Sequence, residues 1–223
     1  ALASGAKEVW VKDAHWTGRN IDHNELPKGT TLIRGWSGHP YSMMQELDRS
    51  FTAAMFVGYH SRAGSGANPL AHTMSGRLIR ELKLNGVPAS ELLINKFICG
   101  YENVATVLVT GDQALCDEAL AVMPKMQTVA TFAGRGPSVV SKHPGQCIEE
   151  IFEATKRAMT SEIIDSCRLS MPSDFACEVD FKDVKMAYGR SFYPGAELTS
   201  ESVVSFKAKD YFEILRFIRF MLG

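Results

Sequence analysis

The chain is notable first for what it lacks. Its five cysteines, Cys99, Cys116, Cys147, Cys167 and Cys177, are odd in number and contain no Cys-x-x-Cys pair. That excludes a disulfide framework and a cysteine zinc ribbon, and predicts reduced, buried thiols in a cytoplasmic setting. No apolar run approaches the roughly 20 residues that span a bilayer, so no membrane partner is expected. A net charge of -1 gives no basis for binding nucleic acid. There is no Gly-x-Ser-x-Gly elbow for a serine nucleophile. Gly64-Ser65-Gly66 is not followed by a helix carrying Lys-Ser/Thr, so it is not a phosphate-cradling loop. No internal repeat or low-complexity segment is present.

What is present reads as alternating strands and helices. With 223 residues the chain fits one sizeable domain, or a large and a small one. The pattern predicts an α/β fold: a three-layer α/β/α core with a mostly parallel sheet over 1–165, and a smaller α+β subdomain over 166–223. Ala1–Glu8 reads as the tail of a helix with Gly5 as its stop. A compact α/β domain seldom begins there, so a first strand is expected to lie outside this numbering. Val9–Asp13 and Ala53–Val57 read as buried strands, each followed by a histidine: His15 and His60. Tyr41–Arg49 is predicted helical. Asn85-Gly86 marks a hairpin after Leu78–Leu84. Ser90 caps a helix reaching about Cys99, with Gly100 as its stop. Val104–Thr110 is a further buried strand, ended by Gly111-Asp112. Gly134–Ser141 reads as a loop. A long amphipathic helix over 145–161 carries Ile148, Ile151, Phe152, Thr155 and Met159 on one face.

Ligands in open α/β sheets bind beyond the carboxyl ends of the strands, which is where His15 and His60 fall. Neutral imidazoles plus a carboxylate such as Glu91, in the first turn of its helix, make a typical zinc donor set. Taken singly, a strand-end histidine is more often a hydrogen-bonded structural residue than a ligand. His72 is placed to act as a general base or proton shuttle at the same mouth, or to sit in a surface loop. Asp13 reads either as an orienting partner of His15 or as a turn cap. Asn95 lies one turn after Glu91 on the same helix face.

Several motifs occur in one order: Lys12-Asp13-Ala14-His15, Val57-Gly58-Tyr59-His60-Ser61-Arg62-Ala63, Ala71-His72-Thr73-Met74, and Asn85-Gly86 with Ser90-Glu91-Leu92. Val109-Thr110-Gly111-Asp112, Pro194-Gly195-Ala196-Glu197 and Phe206-Lys207-Ala208-Lys209-Asp210 follow. The series resembles the D-aminopeptidase family of binuclear zinc metallopeptidases over nearly the whole chain. The resemblance implies two Zn2+ ions per active site, His15 binding one, His60 and Glu91 the other, and His72 as the catalytic residue. Asp13 and Asn95 are then candidates for outer-shell or substrate contacts. It further implies cleavage of an N-terminal, preferably D-, amino acid from a short peptide or amide substrate by metal-activated water, in a ring-like homo-oligomer. The family's opening strand, Ser-x-Asp-x-Glu-Gly, supplies a bridging Asp and a further Glu ligand and is not found in these residues. A non-catalytic oligomeric or binding protein on the same fold, without those ligands, is the alternative expectation.

Overall fold

The computed structural model describes residues 1–223. The strands are β1 (Val9–Lys12), β2 (Thr30–Ile33), β3 (Ala53–Tyr59), β4 (Ile79–Leu84) and β5 (Val87–Pro88). Helix α1 (Glu91–Tyr101) leads to β6 (Ala105–Asp112), α2 (Gln113–Val122), β7 (Gln127–Arg135) and β8 (Ser138–Ser141). Then come α3 (Pro144–Ala158), α4 (Ser161–Ser166), β9 (Phe175–Phe181), α5 (Val184–Arg190), β10 (Glu197–Leu198), β11 (Val203–Ala208) and α6 (Tyr211–Leu222).

A four-stranded sheet in the order β3-β6-β7-β8 forms the centre, with β3, β6 and β7 parallel and β8 returning antiparallel. All eight residues of β6 are buried, so both of its faces are covered. This is the expected α/β architecture with a parallel sheet core. β1 and β2 pair in parallel as a separate two-stranded sheet. The strands ending in His15 and His60 therefore belong to different sheets, not to one.

The third sheet, β10-β11-β9-β4-β5, is antiparallel. Residues 166–223 do not build it alone, because the β4–β5 hairpin completes it and crosses the expected boundary at 165. That hairpin turns on Asn85 (φ 50°) and Gly86 (φ 77°), the left-handed pair that matches strand twist. α6 buries Tyr211, Ile214, Leu215, Phe217, Ile218 and Met221 against this sheet.

Two hydrophobic cores result, and α1 belongs to both. Ile94 and Ile98 pack with the antiparallel sheet and α6, while Leu92 and Cys99 pack with β6 and α2. Burying side chains of this size contributes roughly 1.5–3 kcal/mol each. α1 is thereby fixed from two sides, and Glu91 with it. All five cysteines are buried free thiols, as their spacing predicts.

Four local expectations need correction. Tyr41–Arg49 forms only a 3-10 turn, Ser42–Met44, because its first residue, Ser42 (φ 50°), and Glu46 just beyond it (φ 72°) are left-handed and interrupt a helix. Gly100 does not end α1. A Cβ there would lie 2.6 Å from Met171 Sδ, so this glycine serves close packing, and the left-handed residue is Asn103 (φ 55°). Gly134–Ser141 is not a loop but the end of β7, the turn and the return strand of the β7–β8 hairpin. α3 buries Cys147, Ala154, Thr155 and Ala158, leaving Ile148 and Phe152 exposed at 68% and 51%.

Candidate metal centre

The site lies beyond the carboxyl ends of β3 and β6, where α/β sheets place their ligands. Near its end β3 bulges: the register with β6 shifts between Phe56 and Tyr59, and Gly58 takes φ 75°. The Gly58 N–H donates to Thr110 Oγ1 at 3.0 Å, which fixes the bulge on the neighbouring strand. Bulges re-aim side chains, and this one sets the direction of Tyr59 and His60.

The chain then loops through 61–73 and returns to the start of α1. Ser90 caps α1 by accepting the Leu93 N–H at 3.2 Å, and Glu91 follows in the first turn. His60, His72 and Glu91 converge, each with a ligand atom within 4.8 Å of the others. The two imidazole rings lie 4.3 Å apart between centroids. His72 Nε2 stands 3.8 Å from Glu91 Oε1.

Each member has a backbone partner. His60 Nδ1 is 3.0 Å from the Ser61 carbonyl, and His72 Nδ1 is 2.8 Å from the Leu70 carbonyl. A carbonyl only accepts, so both imidazoles are assigned their hydrogen on Nδ1, leaving Nε2 with a free lone pair. This is the arrangement that orients metal-ligating histidines. Glu91 Oε1 accepts the Met74 N–H at 2.8 Å. Met74 holds φ 62°, an unfavourable backbone state for a side-chain-bearing residue that here aims its N–H at the carboxylate.

Thr73, fully buried, ties the loop to the α1 entry: its hydroxyl accepts the Ala63 N–H at 3.0 Å and donates to the Ala89 carbonyl at 2.7 Å. On the helix side, Asn95 donates to the Tyr59 hydroxyl at 2.9 Å. Burial and then the Glu91 charge push the Tyr59 phenol far above its ordinary value, against the opposing hydrogen bond from Asn95. The Asn95 amide therefore braces the residue beside His60, with no hydrogen bond to Glu91.

His15 lies outside this group and is exposed at the end of β1. Asp13 is buried, but it holds the loop backbone rather than the His15 ring. It accepts from the Asn20 N–H, from Asn20 Nδ2 at 3.0 Å and from the Ile21 N–H at 2.8 Å, while Asn20 donates to the His15 carbonyl. Burial alone would raise the Asp13 carboxyl; these hydrogen bonds hold it below its ordinary value. Tyr59, Thr73, Met74 and Asp112 were not legible as site residues. Of these, only Asp112 stood out in sequence, as the end of a strand.

Two neutral imidazole nitrogens and a carboxylate oxygen within reach of one another fit a borderline-soft divalent cation. With this donor set at the mouth of a parallel sheet, the chain is of the α/β class with a candidate metal centre. The family follows from comparison. The sequence profile of the D-aminopeptidase peptidase family matches residues 1–220, and the chain belongs to that family of peptide hydrolases. A D-aminopeptidase of Bacillus subtilis (strain 168) is 31% identical over 216 residues, covering 96% of this chain and 77% of the relative. The fold superposes with a TM-score of 0.91 on a solved structure, the Zn-dependent D-aminopeptidase DppA from Bacillus subtilis, described as a self-compartmentalizing protease. That match is 29% identical and covers 100% of this chain and 80% of the other.

Proposed function

We propose that the protein is a zinc-dependent aminopeptidase that removes an N-terminal residue, preferably a D-amino acid, from short peptides or amides. The convergence of His60, His72 and Glu91 carries this reading. In it, His60 Nε2 and the Glu91 carboxylate hold one zinc, and His15 serves a second. Zinc held there would polarise the scissile carbonyl and lower the pKa of a water molecule. His72, oriented by the Leu70 carbonyl, accepts a proton at Nε2 from the attacking water and returns it to the leaving amine. Asn95 and Tyr59 keep the end of β3 in place as charge develops.

The test is zinc content and hydrolysis of a D-alanyl amide in wild type, His60→Ala and His72→Ala. His60→Ala loses zinc and activity together, whereas His72→Ala keeps zinc and loses activity. A wild type that binds no zinc and cleaves no such amide overturns the proposal. Loss of zinc in His72→Ala would make His72 a ligand instead.

A homo-oligomer is part of this reading. Val184, Tyr188 and Phe192 recur every four residues on and just past α5 and are exposed at 52%, 61% and 72%, which offers an apolar surface to a second copy. Light scattering that finds only monomers would remove it.

No helix of the chain is long and apolar enough to cross a membrane.

A further inference from the structure

Asp112 is fully buried at the end of β6 and collects four donors. Oδ1 accepts the Ser61 hydroxyl at 2.6 Å and the Leu115 N–H at 2.9 Å. Oδ2 accepts the Ser61 N–H at 2.6 Å and the Asn68 amide at 3.0 Å. One of these bonds caps α2. The other three go to the loop that carries His60 and His72: two to Ser61, 51 residues away along the chain, and one to Asn68, 44 away.

The bonds continue outward to both imidazoles. On one branch His60 Nδ1 donates to the Ser61 carbonyl, and Ser61 donates through its N–H and its hydroxyl to Asp112. On the other, His72 Nδ1 donates to the Leu70 carbonyl and the Leu70 N–H donates to Asn68 Oδ1 at 2.8 Å. The Asn68 amide then donates to Asp112. Every bond in both branches points the same way, with the carboxylate as the final acceptor. The links cross the Cα atoms of Ser61 and Leu70, so what they transmit is the placement of the two loop carbonyls, in a region closed to water. Ser61 and Asn68 are 3% and 5% exposed.

We propose that Asp112 is a positioning residue for the metal centre: one buried carboxylate that fixes the orientation and the Nδ1–H tautomer of both His60 and His72, so that both Nε2 lone pairs face the site. The inference rests on the reading of His60 and His72 given above. A carboxylate suits the task because it only accepts. An asparagine would set an NH2 group against N–H donors and release at least one anchor of the histidine loop.

The experiment is heteronuclear NMR of the imidazole nitrogens at a pH where both rings are neutral, with zinc affinity measured by competition titration. Variants are Asp112→Asn, Ser61→Ala and Asn68→Ala. Wild type shows both rings as the Nδ1–H tautomer. Asp112→Asn moves both toward Nε2–H and weakens zinc binding about 10–100-fold, the range for outer-shell partners of metal ligands. Asn68→Ala shifts His72 and leaves His60 unchanged, which loss of packing alone does not do. Should Asp112→Asn not fold, Asn68→Ala and Ser61→Ala decide. Unchanged tautomers and unchanged zinc affinity in folded variants overturn this inference and leave the metal reading standing. A wild type that binds no zinc overturns both.

Discussion

The Asn95 side-chain amide donates to the Tyr59 hydroxyl at 2.9 Å, joining the second turn of α1 to the last residue of β3. Its other neighbour is the Met43 thioether, 3.6 Å away and a weak acceptor. Tyr59→Phe leaves this buried amide without a good partner. The expected loss is about 1–3 kcal/mol of stability, read by urea denaturation. Adding Asn95→Leu to that variant recovers part of the loss, because removing both polar groups relieves the unpaired one.

Glu91→Gln separates charge from architecture. The amide oxygen still accepts the Met74 N–H, which now stands 2.8 Å from Oε1, so the fold stays within about 1 kcal/mol of wild type by thermal melting. Zinc affinity falls by at least about 100-fold, because a carboxylate ligand is replaced by a neutral one. A variant that retained zinc would remove Glu91 from the centre.

Gly111→Ala tests the contact between the two strands that support the site. A Cβ at 111 would lie 2.0 Å from the Tyr59 carbonyl oxygen, a backbone atom that cannot swing aside. Overpacking of this kind costs about 3 kcal/mol or more. Calorimetry reads the lower melting temperature. His60 ring signals move as well, since the displaced atom belongs to the residue before it.

Acid sensitivity follows from Asp112. Burial alone would raise this carboxyl, but hydrogen bonds from Ser61, Asn68 and Leu115 hold it below its ordinary value of 3.8. Its folded pKa is depressed, so its contribution to stability is fully present above the unfolded value and is lost as pH falls below about 4 toward the folded one. Denaturation curves of wild type from pH 6 down to pH 3 show that decline, and Asp112→Asn shows a smaller one.

Much of the fold could be read from local chemistry. The Asn-Gly turn, the Ser90 cap and the apolar run over 104–110 each specify their element with few residues. Gly111-Asp112 does close its strand, and Gly111 also gives Tyr59 its close approach. Gly100 misled because its reason is tertiary: it looks like a stop, yet it makes room for Met171 and Leu169. The exposed Ile148 and Phe152 show the same limit, since periodicity finds a stripe on a helix but not what it faces. At the site, His60, His72 and Glu91 were legible because their residue types carry chemistry. Their supports were not: Thr73, Met74 and Asp112 act through backbone groups that only the folded loop brings near.

The pairing of β4 with β9 sets a timetable for the molecule. Leu82 lies opposite Val179, a strand made 97 residues later. At about 5–20 residues per second on the ribosome, β4 waits roughly 5–20 s for its partner. Until then α1 has only one of its two packing surfaces. The helix that carries Glu91 is thus clamped from its second side late in synthesis, by a strand far from the histidine loop in sequence.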